Sequence, residues 1–119
     1  MKTDFKRLDP EALALVATRF RVLGEPLRLR LLRELQDGEC SISVLAQRVD
    51  TTQPNASKHL KLMMEAGLIA RRTEGTTVYC SIADRSVFEL CDLVCGSLRD
   101  QLQDQARLFG AVGAQRRRR

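Results

Sequence analysis

Two of the four cysteines in this chain are spaced for joint chemistry. Cys91 and Cys95 are four residues apart, hence one turn apart on the same face of a helix, where two thiolates can share a soft ion. A third sulfur from Cys40, Cys80 or a partner subunit completes a site suited to As(III), Sb(III) or another soft metal. Packing is the competing reading, because both residues lie on an apolar stripe and free cysteine is a common small core residue. A disulfide within the pair is disfavoured, since a regular helix holds such Cα atoms near the far limit for bridging. Oxidation would sooner join one of them to Cys40, Cys80 or a symmetry mate. Cys40 sits beside a turn and a helix N-terminus, where a thiol pKa falls, and is the candidate reactive thiol; the alternative is a surface spectator. Cys80 shares a strand face with Val78 and Ile82 and reads as packing. The one histidine, His59, has no second histidine or suitably spaced acid beside it, so it reads as a polar contact or a group capped against the core rather than a ligand.

A second kind of chemistry lies in the run 51–68, TTQPNASKHLKLMMEAGL. Threonines that can cap a helix precede Pro54, which is tolerated in a first helical turn. Thr52, Gln53, Asn55, Ser57, Lys58, His59 and Lys61 supply donors and cations over its first turns, while Ala56, Leu60, Met63 and Met64 recur at helical spacing. One face is therefore buried and the other is available. Gly67 ends the helix as a left-handed cap requires. A helix whose exposed N-terminal half carries donors and cations is what entry into a DNA major groove needs. A merely solvated helix face is the bland reading, and the flanking elements weigh against it.

Those elements are short and clearly punctuated. Asp9-Pro10-Glu11 starts a first helix expected to run through Val22, with Leu13, Val16, Ala17 and Phe20 as a core stripe. Gly24 breaks it, Pro26 opens a second helix, Leu27–Leu35, and Asp37-Gly38 closes that one. A third, capped by Ser41 or Ser43, carries Val44, Leu45, Ala46 and Val49, and Asp50-Thr51-Thr52 turns into the reading helix, completing a helix-turn-helix. Beyond Gly67 the period becomes two: a strand over 68–73, a turn at Glu74-Gly75-Thr76 and a return strand over 77–82 that carries Tyr79. A basic hairpin there, with Arg71 and Arg72, is a wing placed to touch phosphates or a minor groove. A last helix from about Asp84 to Leu108 carries Val87, Leu90, Cys91, Val94, Cys95, Leu98 and Leu102 on a stripe too long for so small a domain to cover, which predicts pairing with its copy across a two-fold axis.

The predicted fold is thus mainly α with a small β-hairpin wing, a winged helix-turn-helix of five helices that dimerises through its first and last. Residues 1–109 form the DNA-binding and dimerisation domain, and 110–119 form a basic, disordered tail. With 119 residues the chain is long enough for one domain and short for two cores. Formal net charge is +5, but Arg116–Arg119 supply +4 of it, so basicity alone does not argue for nucleic acid. Its distribution says more: residues 51–83 carry a net +2 and residues 84–107 a net −2. Aromatics are 4% with no Trp, against a stacking platform for single strands. No stretch approaches a membrane span and the N-terminus lacks a signal-peptide core, which implies no membrane partner, a cytoplasmic protein and reduced thiols. No paired-acid, nucleophile–base or phosphate-loop constellation points to an enzyme.

Three blocks carry a family resemblance. LGEPLRLRLL at 23–32, QPNASKHL at 53–60 and EAGLI at 65–69 resemble the ArsR/SmtB repressors, in the right order and spacing over roughly residues 10–105. The resemblance implies a bacterial dimeric winged-helix protein that binds palindromic double-stranded operator DNA. It also implies release when a metal, metalloid or oxidant arrives. The family's usual arsenite pattern places its cysteines where Ser41 and Ser43 stand here, with Cys40 one position off. Its zinc pattern matches acids at Asp84 and Asp100 but has Ser86 and Ser97 where histidines are needed. Two rival readings stay open: the same repressor with a cysteine disulfide or persulfide switch or no effector, and a winged-helix module for protein contacts.

Overall fold

The computed structural model describes residues 4–108 of the chain, so the expected tail, 110–119, lies outside the described residues. A 3-10 turn at Phe5–Arg7 leads into helices α1 (Pro10–Leu23), α2 (Pro26–Leu35), α3 (Ile42–Arg48) and α4 (Gln53–Glu65). Strands β1 (Cys40–Ser41), β2 (Ile69–Glu74) and β3 (Thr77–Ile82) make one sheet, and α5 (Ser86–Leu108) follows. The chain divides into two compact units, a winged-helix unit ending at Asp84 and a second beginning at Arg85. Among the described residues no helix is long and apolar enough to cross a membrane.

Local chemistry sets the boundaries. Asp9 accepts a hydrogen bond from the Ala12 amide at 2.8 Å with Pro10 in the first turn, Glu25 caps α2, and Ser41 caps α3 through the Val44 amide. The two helices of the helix-turn-helix end alike. In α3 the Thr51 amide donates to the Ala46 carbonyl and the Asp50 amide to that of Gln47; in α4 the Leu68 amide donates to Met63 and the Gly67 amide to Met64. Each is a Schellman ending, with Asp50 at φ 54° and Gly67 at φ 77° in the left-handed position. Aspartate tolerates that region through its short polar side chain, so the first ending needs no glycine.

The core of the winged-helix unit is built from Leu31, Leu32 and Leu35 of α2, Leu45 and Ala46 of α3, and Ala56, Leu60 and Met63 of α4, closed by Val49, Leu68, Ile69 and Cys80. Two expectations change here. The stripe on α1 is not core: Leu13 and Phe20 are 40% and 53% exposed, and Leu23 is the one buried residue of that helix. A unit of this size has no further layer to set against that face of α1. The hairpin also gains a third strand, with order β1-β3-β2 and Cys40 opposite Cys80 and Ser41 opposite Tyr79. Two residues are too few to show period-two alternation, so β1 leaves no pattern in the sequence. In the β2–β3 turn Glu74 pairs with Thr77 and only Gly75 takes positive φ, the II′ pattern with glycine first.

Leu60 is fully buried, so Leu60→Ala should lower unfolding stability by about 2–5 kcal/mol in a urea titration, with the m-value unchanged.

Candidate nucleic-acid interface

Burial of Ala56, Leu60 and Met63 on one side of α4 turns the other side outward. Thr52, Gln53, Lys58 and Lys61 are exposed there, and Asn55, Ser57 and His59 are half-buried at its flanks. The start of the helix is tied before any ligand arrives: Thr52 accepts from the Asn55 amide, and the Asn55 side-chain amide donates to Thr51 Oγ1 at 2.9 Å. One amide hydrogen of Asn55 is thereby used, and its carbonyl and second hydrogen remain for a base edge. His59 faces inward to Arg28, whose guanidinium lies 3.4 Å from Nδ1 and also donates to the Val22 carbonyl at 2.6 Å. A guanidinium has no acceptor, so His59 takes the bond through an unprotonated Nδ1. This contact holds His59 against α2 at the flank of the outward face of α4.

The two wing arginines differ. Arg71 is exposed and makes no ion pair among the described residues. Arg72 is doubly met: Nε and Nη2 donate to the two carboxylate oxygens of Glu39 at 2.8 and 2.7 Å, Nη1 donates to Glu74 at 2.9 Å, and the guanidinium lies 4.6 Å from the centre of the Tyr79 ring. Glu39 and Glu74 hold the guanidinium charged, and Arg72 in turn holds the Glu39 carboxyl below its ordinary value of 4.5. The sequence predicts that both arginines meet phosphates; in the structure Arg72 and Tyr79 brace the wing against the segment before β1, while Arg71 keeps an exposed charge that no acid pairs among the described residues. Nothing in the sequence flagged Glu39, which sits 33 residues from Arg72.

The thiols fall into two separate pairs. Cys91 and Cys95 lie one turn apart on α5, half-buried and exposed, and burial, the Cys95 thiol and Asp92 all push the Cys91 thiol up. Cys40 is 8% exposed and stands opposite Cys80 in the sheet, which corrects the alternative of a surface spectator. Burial pushes Cys80 up to about 11, while the charge of Arg71 works against that rise. Among the described residues no three His, Cys, Asp or Glu side chains converge as a metal cage.

Comparison with known proteins matches this architecture. The helix-turn-helix domain family aligns with residues 23–72. The regulator CmtR of Mycobacterium bovis is 35% identical over 85 residues, covering 68% of this chain and 72% of CmtR. The arsenical resistance operon repressor of Bacillus subtilis is 34% identical over 70 residues, 58% of this chain and 67% of that protein. The homodimeric winged helix-turn-helix domain Mb0332 of Mycobacterium bovis, described as a possible ArsR-family regulator, superposes with a TM-score of 0.65 at 28% identity, over 92% of this chain and 93% of that one. The chain belongs to the ArsR family. It is a winged-helix transcriptional regulator of that family and not an enzyme. It spans 64% of the length of another relative, KmtR of Mycobacterium tuberculosis, at 32% identity over 83 residues.

Duplex binding by this ArsR-family chain should separate the wing arginines. Arg71→Ala should flatten the slope of log K against log salt by about 0.9, one phosphate contact, whereas Arg72→Ala should leave the slope within error. The Arg72–Glu39 pair has a pH signature too. A lowered native carboxyl contributes stability above its ordinary value that fades as pH falls through the native one. Wild type and Glu39→Gln should therefore differ in thermal stability at pH 7 and converge in strong acid.

Proposed function

We propose that two copies of this chain bind palindromic double-stranded DNA in the cytoplasm as a repressor. A thiophilic effector, As(III), Sb(III) or another soft metal held through Cys91 and Cys95, then releases the DNA. The outward half of α4 carries this reading: donors and cations at Thr52, Gln53, Asn55, Ser57, Lys58 and Lys61 stand opposite a fully buried face. Residues 1–109 act as one binding and dimerisation module, with α4 of each copy entering major grooves about 34 Å apart. Uncovered apolar side chains on both outer helices support the two-fold assembly: Leu13 and Phe20 on α1, Val94, Leu98 and Leu102 on α5. The homodimeric state of Mb0332 points the same way.

The effector reading rests on Cys91 and Cys95 and on the arsenical operon repressor among the relatives. A third sulfur supplied by the partner subunit completes the three-coordinate site. Both thiols must lose protons to ligate, and the raised Cys91 makes that step pH-dependent. Arsenite then changes the angle between subunits so that the two α4 helices no longer match the groove spacing.

Fluorescence anisotropy of the reduced protein on DNA from its own promoter tests both parts. Gln53→Ala and Asn55→Ala should each weaken operator binding and relax base preference by about 1–3 kcal/mol; no change in either quantity removes the major-groove assignment. Cys91→Ser with Cys95→Ser should keep DNA affinity and lose the arsenite response, and a full response in that variant contradicts the effector site. In the wild type, affinity for a soft metal such as Cd(II) should fall as pH drops from 8 to 6.

A further inference from the structure

The wing's sheet places two thiols where neither DNA reading nor the α5 cysteines use them. Cys40 and Cys80 are register partners across the antiparallel β1–β3 pair, and both are buried. Directly opposed residues point to the same side of a sheet, with Cα atoms about 4.5–5.5 Å apart. That span falls inside the range of about 4.4–6.8 Å that disulfides occupy, so the two thiols are within bridging reach once their Cβ atoms draw slightly together. Arg71 is the partner of Cys80 on β2, so one rung reads Cys40, Cys80, Arg71 and sets a cation beside the thiol pair. Core cysteines chosen only for size have no reason to face each other on a two-residue strand.

We propose that Cys40 and Cys80 are a redox pair, closed by hydrogen peroxide into a disulfide that ties the N-terminus of α3 to the wing. Cys40 retains the residual exposure and reacts first. Its thiolate breaks the O–O bond and becomes a sulfenic acid while the second oxygen leaves as water. The Cys80 sulfur then attacks the sulfenic sulfur, the S–O bond breaks, and the oxygen leaves as water with the Cys80 proton. Two thiols and one hydrogen peroxide yield one disulfide and two waters. Arg71 favours the Cys80 thiolate in that second step, against the burial that pushes it to about 11. Burial makes the pair slow, so it responds after the exposed Cys95. Ser41, the residue after Cys40, caps α3, so the bridge fixes the wing to the first helix of the reading pair. This inference does not depend on the α5 effector site.

The test is peptide mapping of the reduced full chain after peroxide and alkylation of remaining thiols. Trypsin separates the cysteines, with Cys40 in 34–48, Cys80 in 73–85, and Cys91 with Cys95 in 86–99. The expected product is 34–48 linked to 73–85 within one chain, about 2 Da below the sum of the two peptides and cleaved by dithiothreitol. Closing so long a loop should also raise Tm by at least ~5 °C. Cys80→Ser changes a fully buried site and can disturb folding, so the deciding variant is Cys91→Ser with Cys95→Ser, which must still form the link. Cys40 and Cys80 that both stay alkylatable in excess peroxide long after Cys95 is fully converted overturn the proposal, as do links confined to 86–99.

Discussion

The constraint on which this molecule depends is the one-sided burial of α4. Ala56, Leu60 and Met63 are fully buried at i, i+4 and i+7, and each large apolar side chain placed there stabilises the packed helix by about 1.5–3 kcal/mol. A helix anchored along that seam cannot rotate about its axis without exposing it, so the direction of Gln53, Lys58 and Lys61 is set by packing rather than by ligand. Hydrogen bonds finish the orientation at the middle of the helix and at its C-terminal end. Arg28 reaches His59 from α2, and Arg19 of α1 donates to the Ala66 carbonyl at 2.9 Å while pairing with Asp84 at 3.4 Å. The donors that a DNA groove requires are thus preorganised, which limits the ordering entropy of binding.

Charge is arranged by the same logic of commitment. A count of cations near α4 treats Arg71 and Arg72 alike, yet bidentate pairing to Glu39, a second contact to Glu74 and the face of Tyr79 turn Arg72 into a brace. Arg72 and Glu39 are each partly exposed, and such a pair contributes little to global stability. Its effect is positional: it holds the wing beside the segment that leads into α3. What remains for phosphate is Arg71 together with Lys58 and Lys61, a smaller and better-defined footprint than composition suggests.

The parts that were legible in the sequence are those governed by local chemistry. Asp9 and Thr52 as caps, Gly67 as a left-handed ending, Gly75 in a tight turn and the helical spacing of Leu60 and Met63 each act within a few residues. The family resemblance seen in three short blocks agrees with the relatives found. What was hidden depends on pairing over long separations. The strand at Cys40–Ser41 exists only because β3 offers it an edge, and the Arg72–Glu39 pair joins positions 33 residues apart. Cys40, which looked exposed beside a turn, is buried by that same pairing. The α1 stripe around Leu13 and Phe20 misleads differently: its helical spacing is correct, but periodicity shows that a face is apolar and not what covers it.

The central claim is that the outward half of α4 enters major grooves on two-fold related copies. Guanine-N7 methylation interference on duplex DNA upstream of the protein's own gene tests it most directly, because N7 lies on the major-groove edge. The account predicts two interference clusters separated by about one helical turn, both lost in Gln53→Ala/Asn55→Ala. Binding that is indifferent to N7 methylation, or a single cluster that survives the double substitution, contradicts it.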